Sequence, residues 1–423
     1  MKTIISAIGC VCALGNDIGQ ISKNLFAGNS LFSYPAARLQ SSYSNEYPVF
    51  TVAQEILSQK KDGESYSYLF LRKALEEALE SAVLKSEDLK KARVGVCIGA
   101  TVDISFNCFD FYKEWRKSRS SEPENPASSP KKPAKPAALD KYIGYSAASE
   151  ILKDLGIDGI SQTVVSACAC GTDAAGIGAQ WIEHDICDIV ICGATDELNM
   201  IPYTGFIKLM IASKERCRPF DKNRNGINLG EGAGVLILES QKNYEHRLAN
   251  LKSAQKKLPD IKGFILGYGT AVDAYHATAP DPQGRGLKKA VEFAFSQADK
   301  SKENIAFINA HATGTKDNDA AEAAVFNSLL KGVPVSATKS LTGHALGAAG
   351  AVEACLTLIC LNEGRIPPVK NFTVPDESLN FCPALKETFI DGAQAALSVS
   401  LAFGGCNAAL ILGGKKYGGK TAL

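Results

Sequence analysis

Apolar residues recur every three or four positions in four stretches of the chain, and this spacing predicts four amphipathic helices. Seven shorter runs between them are rich in β-branched and other apolar residues, which predicts buried strands. The helices are predicted at 68–82, 172–184, 286–298 and 347–361. The strands are predicted at 94–98, 163–166, 189–192, 234–238, 305–308, 333–336 and 396–401. Because strands and helices alternate, the pattern predicts an α/β fold in which largely parallel sheets are covered by helices on both faces.

The apolar start of the chain has two interpretations, an export signal or a first strand. A single lysine precedes the run IISAIGCVCALG, and glycine interrupts it, so the run matches an export signal poorly. Asn16 and Asp17 follow as helix-capping residues, which favours a strand, a glycine turn and a helix. The most apolar later stretch, 341–361, is broken by His344, Glu353 and three glycines. We therefore expect a cytoplasmic protein without a membrane span.

Two short motifs occur once in each half of the chain. VSAC at 165–168 recurs as VSAT at 335–338, each time before a glycine-rich turn and an alanine-rich helix. GAT at 99–101 is echoed by HAT at 311–313. Short echoes also arise by chance, but both of these fall on chemically suggestive segments, so we predict two related halves. The predicted halves are residues 1–255 and 256–423.

Composition narrows the classes of function. The 423 residues include 46 Lys and Arg against 45 Asp and Glu, so the formal charge is +1, and 45% of the residues are hydrophobic. This balanced, soluble composition gives no overall field that would attract nucleic acid. The one biased segment, 116–138, is rich in proline, serine and lysine and cannot pack a core. We expect it to be a solvent-exposed excursion.

The chain has 13 cysteines, an odd count, and it is too long to need disulfides for stability. This indicates a reducing compartment. No CxxC pair occurs, so no metal-binding frame is expected.

Cys168 is a candidate nucleophile. The run VVSACACGTDAAGIGAQ places it between the end of a predicted strand and the start of a helix. Unpaired backbone N–H groups and the helix dipole stabilise a thiolate there, which predicts a thiol pKa below its usual value of about 8.5. The alternative is that small residues only fill a tight turn, which explains Ala167, Ala169 and Gly171 equally well.

Two of the five histidines, His311 and His344, lie in loops that directly follow predicted strands. In open α/β sheets, ligands bind beyond the carboxyl ends of the strands. We therefore expect Cys168 and both histidines to face one crevice, although a structural role is the alternative for either histidine taken alone.

The three residues suit one kind of chemistry. A thiolate can hold an acyl group as a thioester, and two imidazole donors can stabilise the enolate that forms when carbon dioxide leaves a second thioester. This combination makes carbon–carbon bonds. Lys339 is expected to shape the electrostatics of the site, with Asp319 or Glu322 as its counter-charge. A surface ion pair is the alternative for the lysine.

Near the C-terminus, Phe403-Gly404-Gly405 separates two apolar strands, and the glycine pair permits a tight hairpin. If the hairpin lies beside the crevice, Phe403 can close an acyl pocket, and its backbone N–H can join that of Cys168 in an oxyanion hole. The alternative is a glycine turn followed by a core phenylalanine.

With these segments assembled, the chain resembles the β-ketoacyl-acyl carrier protein synthases, the condensing enzymes of the thiolase superfamily, and most closely their type II branch. The resemblance extends over nearly the whole chain. It is carried by VSACACG around Cys168, RPFDKNRNGINLGEGAGVLILE at 218–239, NAHATGTKDNDAAE around His311, TKSLTGHALGAAGAVE around His344 and FGGCN at Phe403. It implies an α/β thiolase-like fold with a duplicated βαβαβαββ unit in five α-β-α-β-α layers, a dimer, and substrates carried on acyl carrier protein.

The resemblance also implies roles for individual residues. These are the acylated nucleophile Cys168, the decarboxylation pair His311 and His344, the supporting lysine Lys339, the pantetheine contacts Thr313 and Thr315, and the gate Phe403. Asp319, Glu322 and Leu401 are predicted to belong to the substrate-binding site. No cofactor is implied beyond the phosphopantetheine of the carrier.

The chain departs from the family pattern at the gate, where Leu401-Ala402 replaces the usual Phe-Gly and Cys406 replaces threonine. The acyl chain length is therefore not inherited from the resemblance, and fatty acid, polyketide and polyene synthesis all remain open. One alternative is a thiolase with Cys406 as its base, which the paired histidines argue against. Another is a non-catalytic chain-length partner, which the presence of Cys168 argues against. The dimer partner is a second copy or such a chain-length subunit.

A local basic run precedes the LGEGAG segment and includes Arg216 and Arg218. Because acyl carrier proteins are acidic, the resemblance favours a docking surface for the carrier protein here. The alternative is a solvated loop whose charge is partly offset by Asp221.

Overall fold

Fourteen strands and twelve helices can be placed in the described part of the chain. The computed structural model describes residues 2–35, 38–39, 41–61, 64–101, 146–298, 304–392 and 394–417, so the excursion expected at 116–138 lies outside the described residues. The strands are β1 (Thr3–Val11), β2 (Phe32–Ser33), β3 (Val49–Phe50), β4 (Val94–Gly99), β5 (Gly159–Val164), β6 (Ile189–Asp196), β7 (Gly232–Glu239), β8 (Gly263–Val272), β9 (Ile305–Asn309), β10 (Val335–Ser336), β11 (Arg365–Ile366), β12 (Thr388–Phe389), β13 (Ala395–Leu401) and β14 (Cys406–Gly414). The helices are α1 (Ile18–Ala27), α2 (Gln54–Leu57), α3 (Tyr66–Ala82), α4 (Ser86–Leu89), α5 (Ala147–Leu155), α6 (Cys170–Glu183), α7 (Met200–Lys208), α8 (Gln241–Ser253), α9 (Arg285–Ala298), α10 (Lys316–Leu329), α11 (Lys339–Thr342) and α12 (Ala349–Glu363).

The strand order is the same in the two halves of the chain. In the first half it is β5-β4-β6-β7-β1, and in the second half it is β10-β9-β13-β14-β8. Each half follows the order βαβαβαββ, with α3, α5 and α6 in the first and α9, α10 and α12 in the second. β1 and β8 also pair with each other, so hydrogen bonding continues through all ten strands.

The helices divide this structure into layers. α6 and α12 pack on each other between the strands of the two halves, while α3 and α5 cover the outer face of the first half. α9 packs on β8 and β14 at the outer face of the second half, and α10 packs beside α9. The predicted α/β fold with a duplicated βαβαβαββ unit in five layers is thus confirmed.

The central helices approach each other closely because glycine stands at the crossing. A Cβ atom on Gly171 of α6 would lie 2.5 Å from the backbone nitrogen of Ala351. A Cβ atom on Gly350 of α12 would lie 2.7 Å from the backbone nitrogen of Thr172. Both distances are shorter than real carbon contacts, so a larger residue at either position would push the two helices apart.

The N-terminal apolar run forms β1, as predicted, and all nine of its residues are buried. Asp17 then caps α1 by accepting the backbone N–H of Gln20. Among the described residues, one helical stretch, Leu346–Glu363, is long and apolar enough to cross a membrane, but 89% of it is buried inside the protein. It is therefore a core helix of the central layer.

Candidate active site

Cys168 lies in a 3-10 turn, Ala167–Ala169, that joins β5 to α6. Ala167 has a left-handed φ of 50°, a strained conformation for a residue with a side chain. The second half has an equivalent 3-10 turn, Leu346–Ala348, before α12, and Leu346 has a φ of 52°. The two turns contact each other, so the nucleophile candidate lies where the two halves meet.

A cavity of about 100 Å³ opens beside this turn. Seven of the residues singled out in the sequence line it: Cys168, His311, Thr313, Thr315, His344, Leu401 and Phe403. Five further lining residues were not predicted: Phe206, Ile211, Ile227, Asp273 and Asn407. Ile227 and Asn407 belong to two of the motifs but have no chemically distinctive side chain, and the other three lie in segments without a motif. Three of these five are apolar, so the cavity combines reactive groups with an apolar wall.

The two histidines form a defined pair. Their ring centroids are 5.1 Å apart and the rings are perpendicular. The Nζ atom of Lys339 lies 3.0 Å from Nδ1 of His311. Because an ammonium group can only donate, Nδ1 of His311 accepts and its Nε2 carries the proton. Within the described part of the chain, Nδ1 of His344 has no hydrogen-bond partner.

Lys339 is held by Glu353 of α12, with which it forms a buried ion pair. Burial raises the pKa of Glu353 to about 7, although the charge of Lys339 opposes this shift. The prediction that Asp319 or Glu322 is the counter-charge is therefore wrong. Glu353 was missed as a partner although it is the one charged residue in the interior of an otherwise apolar helix.

Asp319 and Glu322 lie beneath the His311 loop and do not line the cavity. Glu322 accepts the backbone N–H of His311 at 2.7 Å and that of Ala312 at 2.6 Å. Asp319 accepts the backbone N–H of Phe220 at 2.7 Å and that of Gly314 at 3.1 Å. Both carboxylates hold this loop in place, and the expectation that they contact substrate directly is corrected by this placement.

Both imidazoles of the cavity are neutral in the resting protein. Burial lowers the pKa of His311 and of His344 well below the ordinary value of 6.5, and the charge of Lys339 lowers both further. Since each ring is 2% exposed, water cannot stabilise an imidazolium ion at either position. Neutral rings can donate a hydrogen bond from one nitrogen and accept at the other.

We expect both rings to remain neutral when the pH falls from about 8 to about 6, whereas an ordinary imidazole would take up a proton at about pH 6.5. Only the unfolded chain would bind these two protons, so the free energy of unfolding should decrease as the pH falls below about 6.5. Nuclear magnetic resonance of protein labelled at histidine Cε1, assigned with the His311→Ala and His344→Ala variants, measures both titrations. A midpoint close to 6.5 for either ring would contradict the assignment.

Burial raises the pKa of the Cys168 thiol to about 12. The charges of Asp196 and Glu353 also raise this pKa, whereas the charge of Lys339 and the backbone N–H of Phe403 lower it. The prediction of a lowered pKa is therefore wrong for the resting protein, because removal from water outweighs the stabilising groups around the sulfur. The thiol rests protonated, so attack on a thioester requires a base that takes its proton.

The predicted hairpin at Phe403 is confirmed. β13 and β14 pair as antiparallel neighbours, and the turn has left-handed φ values of 82° at Gly404 and 77° at Gly405. The ring of Phe403 packs edge-on against Phe206, with 5.4 Å between the ring centroids. Cys406, the base of the thiolase alternative, pairs with Val272 on the sheet and does not line the cavity.

The basic run is less exposed than its sequence indicates. The guanidinium group of Arg216 lies over the ring of Phe32, 4.3 Å from its centroid. Arg218 forms an ion pair with Glu215. Arg224, which belongs to the same run, is buried and pairs with Asp376.

No group of three or more His, Cys, Asp or Glu side chains is arranged to hold a metal ion in the part of the chain that the structure describes. All twelve cysteines in this part are free thiols.

Comparison with known proteins identifies relatives along nearly the whole chain. The description "Beta-ketoacyl synthase, N-terminal domain" matches residues 2–243, and "Beta-ketoacyl synthase, C-terminal domain" matches residues 262–373. A curated 3-oxoacyl-[acyl-carrier-protein] synthase 2 of Synechocystis sp. is 29% identical over 98% of this chain and 98% of its own length.

Two solved structures have the same fold. The ishigamide ketosynthase/chain length factor matches with a TM-score of 0.84 and 26% identity, over 98% of this chain and 99% of its own. A type II polyketide synthase acyl carrier protein in complex with its ketosynthase matches with a TM-score of 0.83 and 23% identity, over 98% of this chain and 99% of the other.

Proposed function

Because the chain belongs to the β-ketoacyl synthase family, we propose how its site residues share the work of the condensation. The protein is a 3-oxoacyl-[acyl-carrier-protein] synthase, an acyltransferase that performs a decarboxylative condensation in fatty acid or polyketide synthesis. Its substrates are carried on the phosphopantetheine of acyl carrier protein.

In the first half-reaction, the sulfur of Cys168 attacks the carbonyl carbon of the acyl thioester on the carrier. The thiol is protonated at rest, so one of the two neutral imidazoles of the cavity accepts its proton as the new sulfur–carbon bond forms. The same proton returns to the sulfur of the carrier when that group leaves. The backbone N–H groups of Cys168 and Phe403 stabilise the oxyanion during this transfer.

In the second half-reaction, a malonyl thioester loses carbon dioxide and leaves its electron pair as an enolate. Nε2–H of His311 donates to the enolate oxygen, because Lys339 occupies the other ring nitrogen, and His344 supplies the second donor. The enolate carbon then attacks the thioester on Cys168. Collapse of the intermediate releases the β-ketoacyl carrier product and the Cys168 thiolate, which takes up a proton from water to restore the resting thiol.

Thr313 and Thr315 are proposed to contact the pantetheine arm. Both line the cavity, and their hydroxyl oxygens lie 2.9 Å apart, so they form a short polar edge beside His311. Leu401 and Phe403 also line the cavity, and Leu401 is proposed to contact the acyl chain. This chemistry requires no cofactor beyond the carrier's phosphopantetheine.

The observation that carries the proposal is the convergence of the Cys168 thiol and two neutral imidazoles, one of them fixed by Lys339, on one cavity. Mass spectrometry of the intact protein after incubation with a panel of acyl carrier protein thioesters tests it. We expect the protein to gain one acyl mass and then to release carbon dioxide when malonyl carrier is added. An enzyme that forms no acyl adduct with any chain length would contradict the proposal.

Carrier docking is proposed at Arg216 and Arg218. Reversal of both charges, by Arg216→Glu with Arg218→Glu, should raise KM for carrier-bound substrate about two- to thirtyfold, since two surface charge pairs contribute only about 0.2–1 kcal/mol each. Added salt should weaken the effect, because such charges are screened over about 8–10 Å. Steady-state kinetics with carrier-bound and small pantetheine thioesters provide the measurement.

The matched control carries Lys288→Glu with Lys289→Glu, two exposed lysines of α9, which reverse the same charge on another face. This control variant should have an unchanged KM for carrier-bound and for small pantetheine thioesters. If the Arg216→Glu, Arg218→Glu variant lost activity equally with the small thioester, Arg216 would be needed for its packing on Phe32. The docking surface would then have to lie elsewhere.

A dimer is proposed through β5, the strand at one end of the ten-stranded order. Ile160 is 43% exposed and Val165 is 69% exposed, although both are large apolar residues. An unpaired strand edge with apolar side chains is suited to pairing with another chain. The partner is a second copy or a chain-length-factor-like ketosynthase, and the mass of the purified protein in solution distinguishes the two. A cytoplasmic location is also proposed, since free thiols persist in a reducing compartment.

A further inference from the structure

Asp196, the last residue of β6, ties the loop of His344 to the first half of the protein. The geometry points to Asp196 as a positioning residue for the decarboxylation half-reaction, a role that rests on the proposed function. None of the sequence motifs includes this residue, and it does not line the cavity.

The contacts of Asp196 span the two halves. Its Oδ2 atom accepts the backbone N–H of Gly347 at 2.7 Å. The backbone N–H of Thr101 lies 3.1 Å from Oδ1, and the hydroxyl group of Thr101 also donates to Oδ2. Asp196 is fully buried, so these hydrogen bonds replace water around the carboxylate. Hydrogen bonds to a buried charged group are among the strongest in proteins.

The bond to Gly347 fixes the turn that follows His344. The backbone N–H of His344 donates to the carbonyl of Asn228 at 2.8 Å, and its carbonyl accepts the N–H of Gly230 at 2.9 Å. These two bonds hold the chain at His344 itself. Leu346, two residues later, has a left-handed φ of 52°, which persists only where surrounding contacts enforce it.

The fit at Gly347 leaves no space for a side chain. A Cβ atom there would lie 2.7 Å from Oδ2 of Asp196 and 3.1 Å from Cγ2 of Thr101. The turn therefore depends on a direct contact between a carboxylate and a backbone N–H. Loss of this contact should release the Leu346 turn and shift the ring of His344 within the cavity that it shares with Cys168.

Asp196 also acts on the thiol through its charge. The pKa of Cys168 is raised mainly by burial, and the charges of Asp196 and Glu353 raise it further while Lys339 lowers it. A neutral residue at position 196 should therefore lower this pKa and speed alkylation of the thiol. A role confined to folding would not produce that change.

The two half-reactions should respond differently to the isosteric change Asp196→Asn. Acyl uptake by Cys168 should stay within about threefold of the unmodified enzyme, because the bonds of Asp196 go to Thr101 and Gly347, which lie outside the Ala167 turn that carries the sulfur. Carbon dioxide release should fall about tenfold to hundredfold, the factor for loss of one charge-assisted hydrogen bond. Gly347→Ala changes the residue that donates this hydrogen bond. It should likewise reduce carbon dioxide release more than acyl uptake.

Decarboxylation is measured in the Cys168→Gln background, with and without Asp196→Asn, using malonyl acyl carrier protein. Acyl uptake and the rate of alkylation by iodoacetamide against pH are measured with Cys168 present. The matched control is Glu77→Gln, another carboxylate, which lies on α3, accepts the backbone N–H groups of Cys10 and Ile18 and does not line the cavity. It should leave both half-reactions and the alkylation profile unchanged.

Three results would overturn the inference: equal loss of acyl uptake and decarboxylation, slower alkylation in Asp196→Asn, or the same selective loss in Glu77→Gln. Failure of the proposed function is distinguishable, because then the enzyme with Asp196 intact would release no carbon dioxide from malonyl carrier.

Discussion

Replacement of Cys168 by glutamine should abolish condensation and leave malonyl decarboxylation in place. The variant cannot form a thioester, so product formation should fall by several orders of magnitude, as expected when a nucleophile is removed. The enolate is stabilised by His311 and His344, which do not need the sulfur. Carbon dioxide release and β-ketoacyl product, followed in the same reaction with malonyl and acyl carrier proteins, provide the measurement.

Peptide mapping locates the acyl group independently. Cys170 is the matched control, because it lies two residues away at the start of α6, with its sulfur 2.6 Å from the carbonyl oxygen of Ala167. Cys170→Ser should keep acyl uptake, and Cys168→Ala should lose it. An acyl mass on Cys170 or Cys406 would show that the nucleophile has been assigned incorrectly.

Removal of either histidine should have the opposite effect. In His311→Ala and His344→Ala, acyl uptake on Cys168 should continue, because both variants retain the Cys168 sulfur and the two backbone N–H groups of the oxyanion hole. Decarboxylation should fall about 10²–10³-fold, the usual loss for one preorganised donor to an oxyanion. Rates of carbon dioxide release from malonyl carrier, compared with rates of acyl mass gain, separate the two effects.

His184→Ala is the control for these variants, since His184 is exposed at the end of α6 and does not line the cavity. It should behave as the unmodified enzyme in both assays. Carbon dioxide release that is unchanged in both His311→Ala and His344→Ala would refute the enolate role of the pair.

The strongly periodic helices could be predicted closely from the sequence. α3, α6, α9 and α12 begin and end within two residues of the predicted bounds, because each has a clear apolar face or a wholly apolar sequence.

The strands matched their predicted bounds less closely. β5 begins at Gly159, four residues before the predicted start, because its exposed edge carries polar residues that hide the pattern. β10 is shorter than predicted, since Pro334 has no N–H to continue the ladder. β8 was not predicted, because Gly267 and Gly269 interrupt its apolar pattern. A Cβ atom on either would lie 2.1 Å from a backbone oxygen of α9, so these glycines permit close packing there.

The site residues that could be predicted combine a suitable side chain with a position at the end of a strand. Seven predicted residues line the cavity because they follow strand ends, which the sequence marks clearly. The ion-pair and hydrogen-bond partners at the site could not be predicted in this way. Glu353 of α12 pairs with Lys339, and Asp196 at the end of β6 accepts the N–H of Gly347 in the other half of the chain. Contacts of this kind depend on tertiary packing and leave no local pattern.

The thiol pKa shows a further limit of sequence reasoning. Position at a helix start is visible in the sequence, and it argues for a stabilised thiolate. The degree of burial around Cys168 depends on tertiary packing, which brings residues of the second half such as His344 and Phe403 to the same cavity. That burial has the larger effect on the resting thiol.

The central position of β1 in the sheet has a consequence for synthesis of the protein. β1 pairs with β7 and β8, so that Ile4 lies opposite Glu239 and also opposite Phe264. At about 5–20 residues per second, a ribosome needs on the order of ten seconds or more to make these partners after β1 has been translated. During this interval nine apolar and small residues have no strand to pair with, and such a segment readily associates with other chains. Yield of the native enzyme should therefore depend on chaperone capacity and on the rate of translation more than on the stability of the finished fold.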